Sequence, residues 1–167
     1  MELSQTDPRS RLRIYLNDHL AGAAGAVRLA QRCQRRNRGT SLSAYLEQFV
    51  VEIDQDRQVV SDLLTSLGMP VDPVKQWLAT LAEAGGRLKL NGQLIGYSDL
   101  SRLVELEGLS LGVAGKLSLW RSLQQLAATE PQVAALDLGA LIERAEGQRD
   151  ALEEHRLVAV RQALIGT

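Results

Sequence analysis

A chain of 167 residues is long enough for one domain, and its 19 basic and 20 acidic side chains leave a net charge of −1. That balance predicts neither a nucleic-acid surface nor an anionic-membrane surface. Apolar residues make up 45% and aromatics only 4%, so the interior has to be built from Leu, Val and Ala, a composition that favours helices over strands. The lone cysteine, Cys33, rules out an internal disulfide or a thiolate metal cluster. With no hydrophobic leader in MELSQTDPRSRLRIY and no apolar run near ~20 residues, the expectation is a soluble cytoplasmic protein.

Residues 1–9 are polar, contain Pro8 and have no period, and are read as a tail. The single helical domain then spans 10–167. A first helix is predicted from Ser10 to Asn37, facing inward with Leu12, Leu16, His19, Ala23, Val27, Ala30 and Cys33. Its tract Ala21 to Val27 is built of small residues, which permit a close helix crossing. Cys33 is then a small buried hydrophobe. Arg32, Arg35, Arg36 and Arg38 gather where the helix dipole is negative, and Gly39 stops the helix. Thr40 or Ser41 caps a second helix reaching Leu67, with the stripe Leu42, Leu46, Phe49, Ile53, Val60 and Leu64. So short a loop requires an antiparallel hairpin.

Residues 68 to 97 form a connection opened by Gly68, Pro70, Asp72 and Pro73. A short helix around Trp77, Leu78, Leu81 and Leu88 ends at Asn91-Gly92; a small hairpin, LKLNGQLIG, is the alternative. A third long helix follows from Ser98 to Ala128, a rod of roughly 45 Å, with Leu103, Leu106, Val113, Leu117 and Trp120 on one side. Asp137 caps the last helix, with Leu136 and Leu141 as a hydrophobic staple. Its inward side is Leu138, Leu141, Ala145, Leu152, Ala159 and Ala163, running to about Ile165.

Two long helices in a tight hairpin, a connection of about 30 residues and two more long helices resemble the ferritin-like family of four-helix bundles. The resemblance implies an all-α fold in which residues 68–97 are a partly helical crossover between helices two and three; an up-down five-helix bundle is the competing layout. It also implies, for metal-binding members, a Glu on helices one and three and Glu-x-x-His on helices two and four. This sequence departs from that pattern: helix two has no histidine, Leu152 stands three residues before His155, and helix one offers Asp18 and His19. No family ligand carries over.

The residues that could still make an iron or zinc site are His19, Glu52, Asp56, Glu107 and His155. Axial counting, with helices alternating in direction, separates them. His19 and Asp56 lie roughly 15 Å from one end, and Glu107 and His155 lie a further 15 to 20 Å along. Each layer is expected to hold a His–carboxylate pair. Glu105 and Lys116 read as solvated surface, as do the ladders of Glu143, Glu146, Arg149, Asp150, Glu153 and Arg156. No nucleophilic triad or phosphate-binding loop is present. The functional expectation is a non-catalytic bundle without a cofactor, acting through self-association, as a homodimer whose close approach uses Ala21 to Val27 and Gly112 to Gly115, or through a partner. The alternatives are a metal-dependent oxidoreductase on the five residues above, and a small-molecule binder whose sign would be an apolar pocket of several hundred Å³ between helices.

Overall fold

The computed structural model describes residues 7–72 and 97–166, and every regular element among them is helical. We number these elements α1 (Pro8–Arg36), α2 (Ser41–Ser66), α3 (Asp99–Leu126), α4 (Pro131–Ala134) and α5 (Leu138–Val160); a π-helical turn, Arg161–Ile165, extends α5. Most of the predicted crossover, with the helix and hairpin readings around Trp77 and Asn91, lies outside the described residues.

Local chemistry sets the helix ends. Asp7 caps α1, its carboxylate accepting from the backbone N–H groups of Arg9 and Ser10 at 3.4 and 3.2 Å. Pro8 takes the first helical position, where its missing N–H costs nothing, so the helix begins two residues before the expected Ser10. Thr40, Ser98 and Asp137 cap α2, α3 and α5 as the sequence indicates. At the end of α2, Gly68 has φ +65°, and the N–H groups of Met69 and Gly68 donate to the carbonyls of Leu64 and Thr65, a Schellman closure. Arg9 also donates to the carbonyl of Leu67 at 2.7 Å, fastening the start of α1 to the end of α2.

Side-chain contacts fix the helix directions. Arg32 reaches Glu105 near one end while Tyr15 meets Ser122 near the other, so α1 and α3 are antiparallel. Arg102 bonds Gln162 and Arg121 bonds Glu146, so α3 and α5 are antiparallel as well. Consequently α2 and α3 run in the same direction, and the end of α2 and the start of α3 lie at opposite ends of the bundle. Strict alternation, assumed in the sequence reading, does not hold. Around the bundle α1 neighbours α2 and α3, and α5 neighbours α3 and α2, which leaves α2 and α3 on a diagonal.

The stripes predicted for α2 and α3 are buried at every position named. The face of α1 is rotated from the expected one: Asn17, Leu20 and Ala21 are buried, while Leu12, His19, Ala23 and Val27 are only partly covered. Asn17 accepts from the backbone N–H of Asp72 at 2.6 Å and donates to the carbonyl of Pro70 at 3.2 Å, pinning the chain as it leaves α2. The core falls into two apolar clusters. One gathers Leu16, Leu20, Val60, Leu64, Leu117, Trp120 and Leu141 with Val133 of α4. The other gathers Cys33, Leu46, Phe49, Ile53, Leu106, Val113 and Leu152.

The small-residue tracts do less close packing than expected. Gly108 and Gly112 face Leu29 and Ala26 of α1, but a Cβ at Gly22, Gly25 or Gly115 would meet nothing within 4 Å. Gly115→Ala is therefore expected to stabilise the protein by up to about 1 kcal/mol through helix propensity. Gly108→Ala should gain less, because its Cβ would lie 3.1 Å from Leu29 Cδ2. Urea unfolding of the two variants checks the difference; equal gains would contradict the packing described.

Candidate functional site

Between the two apolar clusters lies a polar layer on one side of the bundle and a cavity on the other. The layer is centred on Asp56 of α2, whose side chain is 3% exposed. Lys116 of α3 donates to Asp56 Oδ2 at 2.5 Å, and Arg144 of α5 donates to Asp56 Oδ1. Lys116 also donates to the side-chain oxygen of Gln148, whose amide donates to Glu52 at 2.6 Å. Tyr45 completes the layer by donating to the backbone carbonyl of Gln148 at 3.3 Å. One carboxylate thus holds α2 to both α3 and α5, with Coulomb attraction opposing the desolvation of the three groups. Burial pulls the Lys116 ammonium below its ordinary value, with Asp56 pulling the other way.

Lys116 and Glu105 correct the sequence reading, which placed both on the solvated surface. Glu105 is buried at the other end of α3, accepting from Arg32 at 2.8 Å and from the Tyr97 hydroxyl at 3.0 Å. Asn37 donates to the same hydroxyl at 2.8 Å and accepts from Arg102 at 2.6 Å, so this network ties the end of α1 to the start of α3. Cys33 is buried beside it, and burial together with the Glu105 charge pushes its thiol up to about 12. It is a packing residue with no thiolate character near neutral pH.

The five sequence candidates do not converge. His19 and Asp56 both line the cavity, but Asp56 is occupied by two cations. Glu52 belongs to the polar layer, Glu107 is exposed beside Arg156, and His155 lies against Tyr45 near the start of α2. Among the described residues no three potential ligands gather in one place. The expected His–carboxylate pairs give way to ring packing: His19 lies edge-on to Tyr15 with centroids 4.6 Å apart, and His155 is tilted on Tyr45 at 4.9 Å.

The cavity has a volume of about 320 Å³, is walled by α1, α2 and α3, and opens to solvent on the side of Asp18, Gly22 and Gly112, which are exposed. His19, Gly22, Ala23 and Ala26 form its α1 side; Phe49, Ile53 and Val60 come from α2; Val113, Gly115, Leu119 and Trp120 come from α3. The wall is overwhelmingly apolar, with the Asp56–Lys116 pair along one edge. Trp120 is 0% exposed, and its indole N–H has no acceptor among the described residues. A buried donor left in that state costs about 1–3 kcal/mol, while Phe would fill much of the same space without it. Sequence reasoning placed Trp120 on the inward stripe, but periodicity says nothing about where its N–H points for a partner.

Two outcomes follow. Lys116→Met leaves Asp56 buried with only half its compensation and is expected to destabilise the fold by about 3 kcal/mol in urea unfolding. A loss below about 1 kcal/mol would mean the layer is far more hydrated than described. Both imidazoles are held below 6.5, in each case first by burial, with Asp18 and Glu154 respectively acting in the opposite sense. The unfolded chain therefore takes up protons at these sites before the folded chain does. Stability should be insensitive to them above 6.5 and fall as pH drops through 6.5 toward the lowered folded values. The urea midpoint at about pH 5.5 should lie below that at about pH 7.5, and the difference should shrink in the His19→Gln, His155→Gln double variant.

Comparison with protein-family models, with curated proteins and with solved structures gives no match to this chain.

Proposed function

We propose that this chain is a non-catalytic ferritin-like bundle that works by holding a small, largely apolar molecule in the cavity between α1, α2 and α3. The observation that carries the reading is the cavity itself: about 320 Å³, apolar, and placed in the middle of the bundle beside a fixed polar edge. A half-open, apolar-walled space of that volume is in the range that takes a small ligand. The helix order supports the ferritin-like part, because α2 and α3 are parallel and diagonal, with the end of α2 and the start of α3 at opposite ends of the bundle.

The self-association expected from the glycine and alanine tracts has a competing explanation in the same residues, since Gly22, Ala23, Ala26 and Gly115 wall the cavity. Iron or zinc chemistry at His19, Glu52, Asp56, Glu107 and His155 would require Asp56 to leave both Lys116 and Arg144. No helix among the described residues is long and apolar enough to cross a membrane.

Naphthalene tests the reading. A saturating concentration is expected to raise the Tm of the wild-type chain, because a ligand that binds only the folded state stabilises it by mass action. Ala23→Phe, which puts a ring into the space, should raise the Tm without ligand and remove the response. An unchanged wild-type Tm would overturn the proposal.

A further inference from the structure

Helix α5 carries a second apolar side that the bundle does not use. Toward the core its later turns present Leu152, Ala159 and Ala163, in the cluster that contains Leu106 and Phe49. On the opposite side stand Leu157, Val158, Leu164 and Ile165, which are 44, 42, 66 and 66% exposed. Residues seven apart lie two turns along one line of a helix, so Leu157 and Leu164 form one edge of a strip and Val158 and Ile165 the other. Glu154 and Arg161, both exposed, run down its middle. A helix on the outside of a bundle is ordinarily polar on its far face, yet from Leu157 to Ile165 only Arg161 and Gln162 are polar.

The charges on this strip are uncommitted. Neighbouring Glu153 pairs with Arg156, and Arg149 with Asp150. Glu154 and Arg161 make no ion pair among the described residues, and about 10 Å of helix rise keeps them from each other. We propose that the strip is where a second copy of the chain docks, the two α5 helices antiparallel about a two-fold axis between Leu157 and Val158. In that register Glu154 faces the partner's Arg161, and symmetry makes the pair twice. Leu157 meets the partner's Val158 across the axis, and Leu164 comes opposite the partner's Ala151. A parallel pairing would set Glu154 against Glu154 and Arg161 against Arg161, and an antiparallel one centred on Arg161 would bring two guanidinium groups together. Like-charge repulsion opposes both. The surface that matches this strip in length, apolarity and order of charge is therefore the strip itself. It involves neither the Ala21 to Val27 tract nor the cavity, so it stands or falls apart from the small-molecule reading.

So small a contact belongs to the weak class of interfaces, with a Kd on the order of 10 µM. Sedimentation equilibrium of the full chain, from about 1 to 300 µM, tests it. The wild type is expected to form a dimer and nothing larger. Arg161→Glu should weaken the dimer about tenfold or more, and adding Glu154→Arg should bring the affinity back to within about threefold of wild type. Leu164→Ser should weaken it as well, with the charges untouched, and gives an independent reading should a charge variant fail to fold. All three positions are exposed, so the urea midpoints should stay near that of the wild type. A wild-type chain that stays monomeric throughout, a dimer indifferent to Arg161→Glu or to Leu164→Ser, or a charge exchange that restores nothing would overturn the proposal.

Discussion

A buried carboxylate between two cations is the constraint on which the middle of this bundle depends. Asp56 is nearly inaccessible, and Lys116 and Arg144 reach it from α3 and α5. Taking Asp56 and Lys116 out of water, with Arg144 partly covered, is expensive, and a layer of leucines would have done the packing at lower cost. What the ions contribute is a fixed geometry: Lys116 has to cross the diagonal of the bundle to meet Asp56, so α2 and α3 are held at the span of a lysine side chain. The gap between the two apolar clusters follows from that span.

On the α1 side nothing large fills the gap. Helix α1 presents Gly22, Ala23 and Ala26 to the space, and α3 presents Gly112 and Gly115. Each interior glycine costs helix stability relative to alanine, and each small residue leaves its neighbours short of dispersion contacts. Between the two apolar clusters, this concentration of small residues at one level makes the space a feature of the sequence as well as of the packing.

Periodicity made much of the fold legible. The α2 stripe from Leu42 to Leu64 and the α3 stripe from Leu103 to Trp120 are buried as read, because a helix that must cover an apolar core repeats its large residues every three or four positions. The caps at Thr40, Ser98 and Asp137 were legible because a side-chain oxygen there satisfies backbone N–H groups through purely local chemistry. The face of α1 was misjudged for a physical reason: its small residues border the cavity and stay partly open, while Asn17 is buried to hold the end of α2, a long-range bond with no local signature. Lys116 and Glu105 were misread because a long charged side chain on an apolar flank looks the same whether it extends to water or to a partner on another helix. His19 and Asp56 were placed at the same level of the bundle, as found, but Asp56 was not seen to be taken by Lys116 and Arg144. The direction of α3 depended on a connection whose path local pattern does not encode.

The central claim is that the Asp56 layer holds open a real apolar space between α1, α2 and α3. A crystal of the protein pressurised with xenon tests it most directly, since xenon enters dry apolar cavities and scatters strongly. The account predicts a xenon peak bounded by Ala23, Phe49, Val113 and Trp120, with the Asp56–Lys116–Arg144 contacts intact. Helices α1 and α3 closed against each other with no xenon between them, or a layer in which Asp56 faces solvent, would contradict it.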